Sequence, residues 1–285
     1  MYIWPEVATG EFQLRTIDAG GIRTRYIETG FQHGPDADAV VFIHGTGGHL
    51  EAFNKNIFHH GQYMRAFALD MIGHGFSSKP DHPYEIRHYV KHLKDFCDAK
   101  GLKKIHVHGE SLGGWIAAQF AIDHPDRTAK LALNTAGGLN SDPVVLKRVY
   151  EVTKKAVAEA SMDTVRARLQ WLVHNPADIP EDLVALRYKI YTQPGFTHTI
   201  ENILCLTNME RRMKNILTEA TLAKISAPTL IIWTEHDPTG PIEVGKRFQA
   251  AIKGSQFHVM NGCAHWPQWE KPEEFNKLHM DFLKS

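Results

Sequence analysis

The sequence predicts an α/β fold: a mostly parallel sheet flanked by helices, with a helical lid inserted in it. Three observations carry this reading. Short β-rich apolar runs alternate with helical patterns up to Gly137-Gly138 and again from residue 227 onward, as in a parallel sheet covered on both faces. Between residue 142 and about 222 only helical patterns occur. A length of 285 residues suits one large domain or a domain with an insertion. Together these divide the chain into a core, 1–138 with 223–285, and a lid, 139–222.

In chain order, residues 11–17 and Ile22–Thr29, broken by Asp18-Ala19-Gly20-Gly21, read as an antiparallel hairpin. Residues 38–43 form the first strongly buried strand and lead into His44-Gly45-Thr46-Gly47-Gly48-His49. Arg65–Leu69 is the next strand. Residues 84–99 place Ile86, Tyr89, Val90, Leu93, Phe96 and Cys97 at helical spacing, which predicts an amphipathic helix. A strand over 104–108, a packed helix over 115–122 ended by Asp123-His124-Pro125, and a strand over 129–134 follow. The lid carries helical patterns at 144–160, 162–174 and 181–192, with breaks at Asn175-Pro176 and Gln193-Pro194-Gly195. The sheet resumes at 227–233 and closes with Gln256–Met260, while 241–251 and 271–284 supply the last helices.

The chemistry centres on Gly109-Glu110-Ser111-Leu112-Gly113, a G-x-S-x-G between a strand and a helix. The two glycines omit side chains that would collide in a sharp reversal, so the turn lifts the Ser111 hydroxyl into an exposed position. An ordinary glycine-rich turn is the bland alternative, but strand, turn and helix are the context a nucleophile requires. A serine hydroxyl needs a base to take its proton and an acid to orient that base. The expected chain order of serine, acid and histidine is met by Asp237, in the loop after 227–233, and His265, in the loop after the last strand. Glu235 is the rival acid. The loop at His44 lacks the lysine of a P-loop and a G-x-G-x-x-G frame, so it reads as an oxyanion loop in which the Thr46 amide joins that of Leu112.

Composition narrows the partners. A formal net charge of zero gives no electrostatic reason to expect nucleic acid or an anionic membrane surface. No apolar run approaches the ~20 residues that span a bilayer. Met1-Tyr2-Ile3-Trp4-Pro5-Glu6 does not read as a signal peptide, and the three cysteines, odd in number and without metal-like spacing, suit reduced thiols in a cytoplasm. Cys263, two residues from His265, reads as a small buried loop residue rather than a second nucleophile. The 18 histidines, His59-His60 included, come with no H-E-x-x-H or C-x-x-C frame, so no metal is expected.

On these residues the chain resembles the α/β-hydrolase superfamily over nearly its whole length, which implies an eight-stranded, mostly parallel sheet. More narrowly it resembles the meta-cleavage-product hydrolases, which split a C–C bond in vinylogous 1,5-diketones of the 2-hydroxy-6-oxo-2,4-dienoate type. The segment Cys263-Ala264-His265-Trp266-Pro267-Gln268-Trp269-Glu270 is similar to that family's histidine segment, tryptophan included. Leu186-Arg187-Tyr188 resembles the site of its arginine, and His44-Gly45 its oxyanion loop. The resemblance favours Asp237 over Glu235. It implies that Arg187 faces the dienol and carboxylate end of a ring-cleavage product, with Trp266, Gly45, Glu110 and, more weakly, Asn54 as further contacts. By itself, Arg187 on a lid helix reads as a solvated charge and Trp266 as a packed aromatic. Glu110 stands where many members have asparagine, and Gly48-His49 where Pro-Gly is common, which bears on the substrate more than the fold. The implied reaction is ketonisation of the dienol, attack on the remote ketone and fragmentation, with no metal or organic cofactor. A homodimer or larger homo-oligomer is also implied.

Two other readings stay open. A carboxylesterase or lactonase uses the same triad. A non-catalytic ligand-binding protein on the same scaffold retains the fold without useful turnover. An aspartate-nucleophile dehalogenase or epoxide hydrolase is disfavoured by Ser111.

Overall fold

In the computed structural model, which describes Trp4 and residues 8–285, the strands are β1 (Phe12–Ala19), β2 (Ile22–Thr29), β3 (Ala39–Ile43), β4 (Arg65–Leu69), β5 (Ile105–Glu110), β6 (Thr128–Asn134), β7 (Thr229–Thr234) and β8 (Gln256–Met260). The expectation about a signal peptide falls mainly on residues outside those described. The strands make one eight-stranded sheet in the order β1-β2-β4-β3-β5-β6-β7-β8. β1 pairs antiparallel with β2, and β2 with β4; every other neighbour is parallel. β3, β4, β5 and β7 are buried along their whole length, as strands covered on both faces must be, while β1 at the sheet edge is largely exposed. The hairpin turns at Gly20-Gly21, both with positive φ (64° and 87°), which glycine adopts without steric cost.

Helices α1 (Asn54–Gly61), α2 (Ile86–Ala99) and α3 (Leu112–Asp123) belong to the first half of the core. α2 begins where Glu85 and His88 form a capping box, two residues later than the sequence pattern starts. α1 was not foreseen; its Asn56 side chain donates to Gln268 O and Asn276 Oδ1, so tertiary bonds hold a segment of weak local propensity. Between β6 and β7 lie α4 (Pro143–Ala158), α5 (Met162–Gln170), α6 (Glu181–Tyr191), α7 (Phe196–Ile203), α8 (Met209–Asn215) and α9 (Glu219–Leu222). α5 stops at Gln170, short of the expected 174, and the chain leaves the helix at Trp171. α10 (Ile242–Ala251), α11 (Pro267–Glu270) and α12 (Pro272–Lys284) complete the chain.

The tightest packing is where β5 turns into α3. A Cβ on Gly109 would lie 2.0 Å from Gly113 O, and one on Gly113 would lie 2.1 Å from Ile43 O. Both obstacles are backbone, which cannot rotate away as a side chain does. Gly113→Ala is therefore expected to lower stability by at least about 2 kcal/mol through overpacking. Urea denaturation should show this as a lower midpoint, and an unchanged midpoint would contradict the close approach of β3 and α3.

Candidate active site

Ser111 links β5 to α3 with φ 56° and ψ −118°, a conformation that L residues rarely adopt. Both ends of the residue are tied down. Its N–H donates to Asn134 O (3.0 Å), and its carbonyl accepts from Gly137 N (2.8 Å) and Trp115 N (3.2 Å). The neighbouring strands thus hold the strained turn and direct the side chain to the cavities beyond their C-terminal ends.

Asp237 follows β7 and accepts from His265 Nδ1 at 2.8 Å. The same oxygen takes the Thr239 amide (2.8 Å) and hydroxyl (2.9 Å). Glu235 does not reach the histidine; it is about half exposed and accepts from Gly262 N at 3.1 Å. The His265 loop is fixed by its own backbone: its N–H donates to Leu172 O (2.9 Å) and its carbonyl accepts from Thr135 Oγ1 (3.1 Å). Glu270 braces the flanking residues by accepting from Ala264 N (2.9 Å) and Trp266 N (3.3 Å).

The other face of His265 departs from the simple triad. Its Nε2 lies 3.2 Å from Glu110 Oε1, and among the described residues no hydrogen bond joins it to Ser111. The second Glu110 oxygen accepts from Gly45 N at 2.7 Å. Both side chains are almost fully buried. Burial pulls the His265 pKa down, but Asp237 and Glu110 outweigh it and raise the value from 6.5 to about 10.

The loop after β3 is anchored from beneath. His44 accepts from Met71 N through Nε2 (3.2 Å), which leaves Nδ1 to carry its proton and donate to Gly45 O (2.9 Å). Burial holds this ring below its ordinary pKa, so it stays neutral. Further along, His49 Nδ1 meets Glu51 (2.8 Å), Arg25 pairs with Glu51 and Asp70, and Asp70 takes the amides of Leu50 and Phe76. Thr46 lines the cavities on both sides of Ser111, and Leu112 opens α3, where first-turn N–H groups have no helical acceptor.

Ser111 stands between two cavities. One, of about 100 Å³, is mainly apolar and includes Leu112, Trp115, Val149, Leu204, Leu206 and Trp233. The other, of about 30 Å³, brings together Gly45, Glu110, Arg168, Arg187, His265 and Trp266. Arg187 is 1% exposed rather than solvated. Its Nη1 donates to the Tyr191 hydroxyl (3.1 Å), which donates to Gly47 O (3.2 Å), while Nε and Nη2 have no partner. No carboxylate pairs with it among the described residues. Asn54 is not in this group: it is buried at the start of α1 and lines neither cavity. Cys263 is fully buried, and that burial pushes its thiol up to about 12, so it is an inert loop residue.

Sequence reasoning missed three residues here. Arg168 has one buried nitrogen without a partner and lines the smaller cavity. Thr239 supports Asp237 from two positions along. Tyr191 stands four residues after Arg187, a helical spacing that pointed to their contact.

Against known proteins, the alpha/beta hydrolase fold family matches residues 38–272. The chain belongs to the α/β-hydrolase family. This α/β-hydrolase is 28% identical over 277 residues to the 2-hydroxy-6-oxo-2,4-heptadienoate hydrolase of Pseudomonas putida, covering 94% of this chain and 95% of that protein. It is 32% identical over 195 residues to the 2-hydroxy-6-oxo-6-phenylhexa-2,4-dienoate hydrolase of Comamonas testosteroni, covering 67% of each. Among solved structures it is similar to the meta-cleavage product hydrolase of Pseudomonas fluorescens IP01, in a mutant complexed with acetates, with a TM-score of 0.82 and 27% identity over 95% of this chain and 97% of that one.

The geometry distinguishes the two acids of this α/β-hydrolase. Asp237→Asn is expected to lower kcat by about 10³–10⁴-fold, because the wrong histidine tautomer is then favoured. Glu235→Gln should leave it within about twofold, since this half-exposed carboxylate bonds the Gly262 amide, which an amide oxygen can still accept, and does not touch His265. Steady-state kinetics on an activated ester checks both, and the reverse order would reassign the acid.

Proposed function

We propose that the chain is a serine-triad hydrolase that cleaves the C–C bond of a meta-ring-fission product of the 2-hydroxy-6-oxo-2,4-dienoate type. Ser111, Asp237 and His265 are its catalytic residues, and the Thr46 and Leu112 amides face the oxyanion. The observation that carries this reading is Arg187, a buried guanidinium with two unpartnered nitrogens that lines one small cavity with Ser111 and Trp266. A buried cation without a carboxylate is costly, and a planar acid in that cavity compensates it through a bidentate fork. The apolar cavity on the other side of Ser111 suits the remainder of the substrate, and the names of the relatives support the same substrate class.

The polar cavity takes the dienol and carboxylate end, with Arg187, Trp266, Gly45 and Glu110 around it. After ketonisation, attack at the remote ketone places a negative charge before the two amides, and fragmentation releases a carboxylic acid and a 2-hydroxypentadienoate. The helical block over residues 139–222 acts as the lid over the core formed by 1–138 and 223–285. No metal or organic cofactor enters this scheme. The family resemblance supports a homodimer or larger homo-oligomer, and the buried cysteines fit a cytoplasmic setting.

Loss of the colour of a ring-fission product tests the proposal. The wild-type chain should bleach it to an acid and a hydroxydienoate, while Ser111→Ala should bind it with little turnover. Wild-type protein that hydrolyses esters but leaves the product coloured would make the chain an esterase or lactonase. Binding with turnover of neither would make it a ligand-binding protein.

Arg187 gives a sharper contrast. Arg187→Gln should slow bleaching by at least about 30-fold, the equivalent of roughly 2 kcal/mol for a lost charge-assisted contact. Hydrolysis of p-nitrophenyl acetate, which has no acid group, should fall much less. Lysine at 187 should recover only part of the loss, since it lacks the planar fork. Equal losses on both substrates would give Arg187 a structural role.

A further inference from the structure

His265 is held between two carboxylates, Asp237 at 2.8 Å from Nδ1 and Glu110 at 3.2 Å from Nε2, all of them buried. A neutral imidazole has a single N–H and satisfies one such neighbour only; the other would face a lone pair. The arrangement therefore contains one proton more than the resting state of an ordinary serine triad. The remaining charged neighbours do not remove it. Arg168 and Arg187 line the same cavity but are not among the groups that set the His265 proton affinity, Asp237 adds a second negative charge, and His44 is neutral. Glu110 is also fixed in place, because its other oxygen holds the Gly45 amide. A histidine carrying protons on both nitrogens cannot take one from Ser111.

We propose that Glu110 keeps His265 loaded with a proton on Nε2, so that the histidine enters the reaction as the acid of the ketonisation step and becomes a base only afterwards. This rests on the C–C hydrolase reading. The balance is simple. The Nε2 proton of His265 forms the new C–H bond at the carbon beside the scissile bond, the enol O–H bond breaks, and its proton passes to the Glu110 carboxylate. The diene's electron pair accepts the first proton, and the enol oxygen keeps its own pair as the new carbonyl. His265 is then neutral and able to accept the Ser111 proton. Glu110, His265 and Arg187 line one cavity, so a dienol carboxylate bound there meets all three. A simple ester presents no enol, so with an ester the resting proton must first be lost to solvent. The raised pKa of about 10 agrees with a histidine that stays charged through neutral pH and loses its proton only in the alkaline range.

The test compares the full-length wild type with Glu110→Gln, which keeps the side-chain shape and an oxygen for Gly45 N–H but removes the negative charge. With p-nitrophenyl acetate, wild-type kcat/KM should be low at pH 7 and rise along an alkaline limb. In the variant this limb should move down by about two pH units or more, so that ester hydrolysis at pH 7 increases. On a ring-fission product at pH 7 the variant should instead lose ketonisation by about 10²-fold, seen as slow decay of the dienol band in stopped flow. Opposite changes on the two substrates are what a merely structural role does not produce. Nitrogen NMR of ¹⁵N-histidine protein, with His265→Gln for assignment, should show His265 doubly protonated at pH 7.5 in the wild type and singly protonated in Glu110→Gln. A singly protonated wild-type His265, or equal losses on both substrates with no shift in the ester profile, overturns the proposal. If the ester limb shifts but the wild type leaves the ring-fission product intact, the ketonisation step falls with the C–C hydrolase reading, and the Glu110–His265 proton pair stands.

Discussion

The site depends on the contact of three backbone segments at the end of β5. A conformation such as that of Ser111 costs about 1–3 kcal/mol and persists only where the surroundings determine it. Here they do so by hydrogen bonds from β6 and the following loop, and by two glycines packed against each other and against Ile43. The same turn sets the position of Glu110. As the last residue of β5 it lies next to the β3 strand, whose following Gly45 donates to it, and its other oxygen is left to meet His265. One strained residue thus sets the position of the Ser111 hydroxyl and of the carboxylate before it.

Two groups of buried charge in this protein behave differently. Arg25, Glu51 and Asp70 compensate one another under the loop after β3, Glu51 also meets the ring of His49, and Asp70 takes two backbone amides, so the network holds the loop in one shape. Arg168 and Arg187 have no carboxylate partner among the described residues and keep unpartnered N–H groups beside Ser111. An orphaned buried donor costs about 1–3 kcal/mol, more when it is charged. The charges of the first group are paired within the protein, whereas those of the second would be compensated by an anion in the cavity. That contrast separates residues that build the site from residues that receive something in it.

The proposed triad could be picked out of the sequence because each member stands in the loop after a recognisable strand, and the α/β-hydrolase fold sets the order along the chain. The choice between Glu235 and Asp237 was not legible from local pattern, since both follow β7 and only the tertiary contact with His265 separates them. Arg168 shows a similar limit. Arg166 and Arg168 stand two apart on α5, and the helix turns the first to solvent, where it pairs with Asp163 and Glu181, and the second into the site. The spacing of Val165 and Leu169 puts position 168 on the buried face, but periodicity does not say what an arginine there meets. α1 escaped notice because its Asn and His residues have poor helical propensity, and it is kept by bonds to α11 and α12 more than two hundred residues away. The departure at Glu110 was visible, but its partner was not, because nothing in the chain near residue 110 specifies which ring it meets.

The helical block is bonded to the parts of the site that do the chemistry. Leu172 O accepts the His265 amide, His174 N donates to the Glu270 carboxylate that also holds Ala264 and Trp266, and the Tyr191 hydroxyl donates to Gly47 in the oxyanion loop. Arg187 reaches the cavity while bonded to that same hydroxyl. A movement of the block large enough to separate it from the sheet would break hydrogen bonds to the histidine loop and to the oxyanion loop together. The position of the block and the alignment of His265, the Gly47 loop and the Arg187 guanidinium are therefore tied together, and an anion bound by Arg168 and Arg187 would favour the arrangement in which all of them are in place.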